Sequence, residues 1–420
     1  MVIMERLKDG DIRCRLKNKN YLTLLRLIGI KNKFSVKYAN MSKRKIKRKN
    51  RKVINKTQAG DIDKLFFWLV LLLVFIGLVA ISSAGIVVSQ VKFGDPYHYF
   101  KHQLFYGAIP GLIAMLIVSR INYNLWRKMA APFFIGAIIA LVLVLVSSHG
   151  LELKGAKRWI MLGPVSFQPT EMVKLAVIVY LAALLAKKGK KIKDFSESFI
   201  PFAVAMGLVG GLILLQPDVG TLGAILFIAL TMFFLAGAAF KHIIGLIAVG
   251  IGLLAVMIKL EPYRMNRFLA FVDPSIDPQG IGWQVKQAAI AVGSGGIFGV
   301  GLGHSHQKFS YLPEVVGDSI FAIIAEEIGM IGAGLIVLLF VTLALRGFQL
   351  AKKAPDRFSS FLIFGVSLWI IFQAFINIMA IIGLMPLTGI TLPFISYGST
   401  SLIFILIGVG IVLNISRYRK

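Results

Sequence analysis

Long, nearly continuous apolar segments are the feature that most limits what this chain can fold into. Phe66–Val88 and Phe361–Ile382 are two of them, and each is long enough to cross the hydrocarbon of a bilayer as a helix. A segment in lipid must satisfy its own backbone hydrogen bonds, which a helix does. Overall, 57% of the 420 residues are hydrophobic, a larger share than soluble domains have. The sequence therefore predicts an all-α, polytopic integral membrane protein.

About ten transmembrane helices account for these segments. The predicted spans are 65–88, 103–119, 129–147, 170–186, 199–216, 220–236, 242–259, 318–345, 358–382 and 397–415. Lys and Arg concentrate in cytoplasmic loops, and with ten alternating spans every loop on the side of the N-terminal segment is basic. We therefore expect both termini in the cytoplasm. The large loop 260–317, between spans seven and eight, then lies outside the cell, and 283–292 is predicted to form a short amphipathic helix within it.

Residues 1–64 precede the first span and form a basic arm. The first 60 residues hold 19 Lys or Arg against three acids, which is over half of the excess behind the net charge of +28. Beside a membrane helix, such charge favours contact with anionic lipid over nucleic acid. We expect a flexible cytoplasmic arm. Residues 1–40 do not fit the remainder, and Met41 resembles a natural start, so we hypothesise that translation begins there. Residues 65–420 are the membrane domain.

The candidate catalytic residue is Asp318, at the outward-facing start of the eighth span. A carboxylate near the positive end of a helix stays ionised, and it is then available to accept a proton from a sugar hydroxyl. The alternative is a structural N-cap, because Asp favours that position. Glu314, four residues earlier, is either a supporting group for Asp318 or a solvated loop charge.

Four further candidates lie between and within spans three and four. Arg158 suits forked contacts with phosphate, and Trp159 can flank a sugar or lipid, although aromatic anchoring at the membrane surface is the alternative. Glu171 and Lys174 are three residues apart at the start of the fourth span, a spacing that allows them to pair. Charges inside a span are costly and usually face a cavity or a partner. The pair is therefore predicted either to bind substrate or to be a structural ion pair.

Other outward-facing segments carry weaker signals. Ser396 leads into the tenth span, where turn formation or helix packing is the alternative to substrate binding. Asp218 is predicted to cap the sixth span in a tight turn. The glycine-rich stretch 293–303 lacks the context of a nucleotide loop, and we expect it to permit tight turns and close helix approach. His304 and His306 have no metal-ligand spacing around them, so no metal site is certain.

Several longer motifs follow one another in a fixed order along the chain. They occupy 155–160, 167–171, 216–221, 267–274, 293–296, 311–314, 326–329 and 392–398. From about residue 65 to 417 the chain thereby resembles the shape, elongation, division and sporulation (SEDS) family, whose members include FtsW and RodA. The 307–314 run and the ending Asn414–Arg417 look closer to FtsW. The chain departs from the family's pattern beside Asp318, where Val315-Val316-Gly317 precedes it and Ser319 follows.

The resemblance implies a peptidoglycan glycosyltransferase of the bacterial inner membrane. Such an enzyme polymerises lipid II into glycan strands, here during septal wall synthesis in division, by inverting transfer from a lipid diphosphate-linked donor. The family's essential Asp falls on Asp318, as base or as ligand of a divalent cation (Mg or Mn). Its Arg-Trp pair falls on Arg158 and Trp159 and its fourth-span Lys on Lys174, with Lys308 as a further positive charge.

The resemblance also implies partners and leaves alternatives open. The expected partners are a class B penicillin-binding protein and other division-complex membrane proteins, with no nucleic acid. One alternative is a transporter that flips lipid II, which would need access from both faces of the membrane. The others are the elongation (RodA-type) polymerase and a non-catalytic scaffold for a penicillin-binding protein.

Overall fold

The computed structural model divides the chain into two units, residues 1–59 and 60–420. It describes residues 3–6, 12–15, 60–146, 150–153, 156–163, 165–260, 269, 271–273, 280–309 and 311–419. In the first unit, strands β1 (Ile3–Arg6) and β2 (Ile12–Arg15) pair antiparallel. The hypothesised start at Met41 and most of the basic arm lie outside the described residues.

The described part of the second unit is almost wholly helical. Its α-helices are α1 (Lys64–Ala84), α2 (Ile86–Phe93), α3 (His98–Gln103), α4 (Ile109–Arg120), α5 (Asn124–Val146), α6 (Pro169–Lys188), α7 (Ile200–Leu214), α8 (Val219–Leu235), α9 (Phe240–Leu260), α10 (Ile281–Ser294), α11 (Ile320–Lys352), α12 (Arg357–Ile381) and α13 (Ser399–Ser416). A π-helical turn, Leu104–Ala108, joins α3 to α4. The turns 189–193 and 195–199 lead from α6 into α7.

All ten predicted spans coincide with helices. Within the described residues, eight helices are long and apolar enough to cross a membrane; α3 is counted with α4, and the turn 195–199 with α7, as one continuous helix each. The remaining two predicted spans correspond to α8, which has 17 residues, and to α9, whose apolar part is counted over Phe240–Gly250. The chain is therefore a multi-pass α-helical membrane protein, as predicted.

Three helices form the centre of the bundle. In the apolar stretches of α6, α12 and α13, 72%, 67% and 83% of the residues are buried. In those of the other five long helices, at most 39% of the residues are buried. Glycines bring α13 close to α4: a side chain at Gly410 would meet the Met115 carbonyl oxygen at 2.7 Å. Small residues permit such close approach between membrane helices. The site described below is built around these central helices.

A small antiparallel sheet lies between α5 and α6, where the sequence analysis expected only a loop. It consists of β3 (Gly150–Leu153), β4 (Ala156–Leu162) and β5 (Val165–Phe167), in that spatial order. Strands of three to seven residues give too short a pattern to be recognised beside spans of twenty. The all-α prediction is confirmed, and this connection adds three short strands to the helical bundle.

The eighth span is broken at Gly329, which has φ 68° and ψ −174° inside α11. The glycine-rich stretch fills the break, because the N–H groups of Val300 and Gly301 donate to the carbonyl oxygens of Glu326 and Glu327 at 3.0 Å. This arrangement supplies partners for groups that an interrupted helix leaves free. The predicted role of the stretch in tight turns and close approach is confirmed.

Candidate active site

Asp318 lies in the turn that leads into α11. The backbone N–H groups of Gly317 and Ser319 donate to the Glu314 carbonyl oxygen at 2.9 and 3.2 Å, which closes the turn. Glu314 itself has φ 54° and an exposed side chain. The N-cap of α11 is Ser319, so the N-cap alternative for Asp318 is wrong by one residue. Asp318 is instead a residue of the turn before this cap, and its side chain is half-buried.

Three separate parts of the fold hold this turn. From α12, Asn377 Nδ2 donates to the carbonyl oxygen of Asp318 at 2.8 Å. From α10, Gln284 Nε2 lies 3.5 Å from the carboxylate oxygen Oδ1 of Asp318. From the segment before α13, the Tyr397 N–H donates to the Val316 carbonyl oxygen at 2.8 Å. The position of Asp318 is thus fixed by contacts that are far apart in sequence.

Lys174 and Glu171 form a buried ion pair in the first turns of α6. Lys174 Nζ lies 2.8 Å from Glu171 Oε1, and the two side chains are only 3% and 6% exposed. The ammonium also donates to Gln373 Oε1 at 2.9 Å and lies 5.3 Å from the centre of the Trp369 ring. Among the described residues, the second carboxylate oxygen of Glu171 has no hydrogen-bond partner. The predicted pairing is confirmed, and the pair is shielded from solvent.

Arg158 reaches the turn between α7 and α8. Its Nε donates to the Gln216 carbonyl oxygen at 3.0 Å, and Nη2 donates to the carbonyl oxygen of Pro217. Trp159, the next residue of β4, is half-buried and pairs opposite Leu151, and the register between β3 and β4 shifts beside Arg158. The Asp218 side chain accepts from the Thr221 N–H at 3.2 Å and caps α8, which confirms the predicted cap.

One segment, residues 388–391, adjoins all three parts of the site. A side chain at Gly220, in the first turn of α8, would lie 2.6 Å from a carbonyl oxygen of this segment. Gln373 Nε2 and Asn377 Nδ2 donate to two of its other carbonyl oxygens, at 2.9 and 2.8 Å. The turn that Arg158 contacts, the Lys174 pair and the Asp318 turn are therefore linked through the 388–391 segment and α12.

Lys308 lies in a different cluster, on the glycine-rich stretch and α11. Its ammonium donates to the Gly303 carbonyl oxygen and lies 3.4 Å from Glu327 Oε1, with the lysine side chain 3% exposed. Ser83 donates to the same carboxylate at 2.6 Å. The Lys308 charge is therefore already balanced inside the protein. The structure does not place Lys308 in the linked group around α12.

Ser396 has a local role in the turn before α13. Its buried hydroxyl accepts a hydrogen bond from the Leu392 N–H at 2.8 Å, and its carbonyl oxygen accepts from Gln103 Nε2 at 3.5 Å. These contacts correspond to the turn-forming alternative of the sequence analysis. Contact between Ser396 and a substrate stays a prediction.

A metal ion at Asp318 also stays a prediction. Within the described ranges, no three His, Cys, Asp or Glu side chains are grouped closely enough to hold a metal ion. Divalent cations such as Mg²⁺ are often held by one or two carboxylates together with substrate phosphates. The half-buried Asp318 carboxylate fits that donor set when a diphosphate supplies the remaining oxygens.

Comparison with known proteins shows the family of this chain. A family model described as "Cell cycle protein", which covers FtsW, RodA and SpoVE, matches residues 63–420. The chain belongs to the FtsW/RodA/SpoVE family. Stage V sporulation protein E of Bacillus subtilis is 42% identical over 367 residues, which is 87% of this chain and 99% of that protein. A probable peptidoglycan glycosyltransferase FtsW of Geobacter sp. strain M18 is 38% identical over 354 residues, or 84% and 96% of the two chains.

Solved structures of the FtsW/RodA/SpoVE family share the fold. One is a chain of a peptidoglycan synthase complex that coordinates polymerization and crosslinking. It has a TM-score of 0.70 and 30% identity, over 85% of this chain and 98% of its own. The rod shape determining protein RodA of Thermus thermophilus has a TM-score of 0.63 and 28% identity, over 85% of this chain and 97% of its own. The resemblance drawn from the motifs is confirmed.

The residues that support Asp318 and Lys174 are not among the site residues predicted from the sequence. Gln373 and Asn377 are amides inside the apolar span 358–382, and their spacing of four places them on one face of a helix. Polar side chains inside a span are costly unless they have partners, so the sequence indicates that these two amides form hydrogen bonds inside the protein. Their partners were not readable, because they lie on α6, before α11 and after α12.

Proposed function

We propose that this FtsW/RodA/SpoVE-family protein is a peptidoglycan glycosyltransferase that polymerises lipid II during septal wall synthesis. The observation that carries the proposal is the linkage through α12 of a half-buried carboxylate, Asp318, with a buried cation, Lys174. Relatives named as probable peptidoglycan glycosyltransferases support it, since they align along 84–87% of this chain.

The reaction is an inverting glycosyl transfer. The hydroxyl oxygen of the acceptor sugar forms a bond to the anomeric carbon of the donor. The bond from that carbon to the lipid diphosphate breaks, and the diphosphate leaves with the electron pair. Asp318 takes the hydroxyl proton, which is the work of a general base. Arg158, whose guanidinium keeps an exposed edge, contacts the leaving diphosphate, because preorganised positive charge stabilises it. Trp159, the neighbour of Arg158 on β4, flanks the sugar or lipid.

Lys174 acts from inside the protein in this proposal. Its ammonium is enclosed by Glu171, Gln373 and Trp369, so it contributes to the site through its field and through the placement of these neighbours. A divalent cation bound by Asp318 would add positive charge at the diphosphate. Glu314 and Ser396 shape the turns that border Asp318 and α13.

The orientation and partners belong to the same proposal. Both termini lie in the cytoplasm of a bacterial inner membrane, and Asp318 faces outward, where lipid-linked sugar is polymerised. The charge pattern of the loops supports this orientation. A class B penicillin-binding protein is the proposed partner, together with other division-complex membrane proteins. Similarity to a chain of a peptidoglycan synthase complex supports such a partner.

The test is polymerisation of purified lipid II by the full-length chain in detergent, with a class B penicillin-binding protein in every sample. The wild type is expected to form glycan polymer, and Asp318→Ala is expected to form none. Asp95→Ala is the matched control, because Asp95 is an accessible loop carboxylate paired with Lys101 outside the site. Polymer formation by folded Asp318→Ala would contradict the assignment. Failure of the wild type, combined with transport of lipid II in vesicles, would favour the transporter, since detergent abolishes sidedness.

A further inference from the structure

Two amide side chains on α12 make hydrogen bonds that the proposed chemistry does not use directly. Gln373 and Asn377 are one helical turn apart and are both buried. Each of them donates to a carbonyl oxygen of the 388–391 segment. Each also contacts one charged member of the proposed site, Lys174 or Asp318. The two amides therefore connect a shared anchor to the two groups.

The orientation of the Asn377 amide is determined by its neighbours. Nδ2 donates to the carbonyl oxygens of Asp318 and Ile390, both at 2.8 Å. A flipped amide would place its oxygen against two carbonyl oxygens, so the assignment of nitrogen and oxygen is unambiguous. Asn377 is 2% exposed, and removal of the amide would leave two carbonyl oxygens without this donor. Water does not readily replace a donor at so buried a position.

The orientation of the Gln373 amide is determined in the same way, because its oxygen accepts hydrogen bonds and its nitrogen donates one. Its Oε1 accepts from Lys174 at 2.9 Å and from the Trp369 indole at 2.7 Å. Its Nε2 donates to the Thr391 carbonyl oxygen at 2.9 Å. The lysine ammonium is thus held at a fixed place relative to the same segment that Asn377 contacts.

We propose that Asn377 and Gln373 are positioning residues, which set the placement of Asp318 and Lys174 relative to each other by tying both to the 388–391 segment. This inference rests on the proposed glycosyl transfer. Asn377 holds the backbone of Asp318, and the backbone position decides where the carboxylate meets the acceptor hydroxyl. Neither amide contacts the reacting atoms.

The predicted effect is on turnover rather than on substrate affinity. A misplacement of about 1 Å at a reacting group costs on the order of a hundredfold in rate. Asn377→Leu keeps the size of the side chain and removes its donors. We expect this variant to lower kcat for lipid II polymerisation by about tenfold to a hundredfold, with little change in KM. Gln373→Leu, which frees Lys174 from the segment, is expected to lower kcat in the same direction.

A matched control is Asn414→Leu on α13. Asn414 is 1% exposed, donates from Nδ2 to the Ser119 carbonyl oxygen at 2.8 Å, and accepts from the Tyr123 N–H at 3.0 Å. It therefore loses two buried hydrogen bonds as Asn377 does. Asn414 lies near the C-terminal end of α13. Asn377 lies near the C-terminal end of α12, which connects to the N-terminal end of α13, so the two residues are at opposite ends of the bundle. The control should lose thermal stability to a similar extent and keep its kcat.

The decisive measurement is the dependence of initial polymerisation rate on lipid II concentration, with the melting temperature of each full-length variant measured in detergent. A lower kcat for Asn377→Leu and an unchanged kcat for Asn414→Leu, at similar melting temperatures, supports the inference. Equal kcat values for both variants overturn it. If Asn377→Leu does not fold, Asn377→Ser is measured in its place and judged in the same way. An active Asp318→Ala variant would instead overturn the proposed function.

Discussion

Removal of the Lys174 charge tests whether the buried pair in α6 is structural or functional. The nitrogen–oxygen distance is 2.8 Å, and at an effective dielectric constant of about 20 the Coulomb attraction is about 6 kcal/mol. The cost of taking both charges out of water offsets most of this, but truncation of one partner leaves the other charged and buried. Such truncation costs about 3–5 kcal/mol. We therefore expect Lys174→Met to destabilise the protein by about that amount.

The double variant Lys174→Met/Glu171→Gln separates the two roles. It removes both charges while nearly preserving volume, and such replacements are often neutral or stabilising. Its melting temperature in detergent, measured beside the wild type and Lys174→Met, should return most of the way to the wild-type value. Lipid II polymerisation by the double variant should nevertheless stay at least about tenfold below wild type, a deficit that corresponds to about 1.4 kcal/mol of barrier.

Two results would refute this reasoning in different ways. A Lys174→Met variant as stable as the wild type would show that Glu171 is not left as a buried, unpaired charge. A stable double variant with wild-type polymerisation would show that the pair only supports the fold. In that case the predicted role of Lys174 in substrate binding is wrong, and the role of Asp318 is unaffected.

Two further predictions concern stability away from the site. Burial raises the pKa of Asp63, but the hydrogen bonds and the charge of Arg346 lower it by more than burial raises it. The pKa of Asp63 therefore lies below its ordinary value. A depressed pKa stabilises the fold above the ordinary value of about 4. We therefore expect Asp63→Asn to lower the melting temperature at pH 7, with the difference from wild type shrinking below about pH 4. Gly77→Ala would place a methyl group on the carbonyl oxygen of Phe394, so it should lower the stability of the protein by about 1–3 kcal/mol. Gly223→Ala, with open space around it, should not destabilise the protein. Equal melting temperatures of the two variants would contradict the close packing of α1.

The spans were predictable because each is decided by its own composition. A run of twenty apolar residues has one stable state in lipid, whatever its neighbours do. The start of the eighth span was placed at 318, whereas α11 begins at Ile320, and the break at Gly329 was not foreseen. The break depends on hydrogen bonds from the glycine-rich stretch, which no local pattern within the helix reveals.

Ion pairs were predictable within one helix but not between parts of the chain that are distant in sequence. The spacing of Glu171 and Lys174 on one helix indicates their ion pair, because neighbours at this separation meet on a helix surface. Lys308, in the segment before α11, pairs with Glu327, two residues before the break in this helix, a contact that the motif order does not reveal. It was therefore grouped with Asp318 in the sequence analysis, whereas the structure places it in a separate buried cluster.

The connection between α5 and α6 shows the same limit. Arg158 and Trp159 were predicted to lie in an outward-facing loop, without a strand. The hydrogen bonds of β4 with β3 and β5 make them part of a strand, with a register shift beside Arg158. Arg158 reaches the turn at Gln216 from this strand.

The most direct test of the central claim is the initial rate of lipid II polymerisation by Asp318→Asn. This substitution preserves the shape of the side chain and removes its ability to accept the hydroxyl proton. General-base catalysis contributes about a hundredfold to ten-thousandfold, so the rate should fall at least about a hundredfold in a variant whose melting temperature equals that of the wild type. A rate within about twofold of wild type would contradict the assignment of Asp318 as the base.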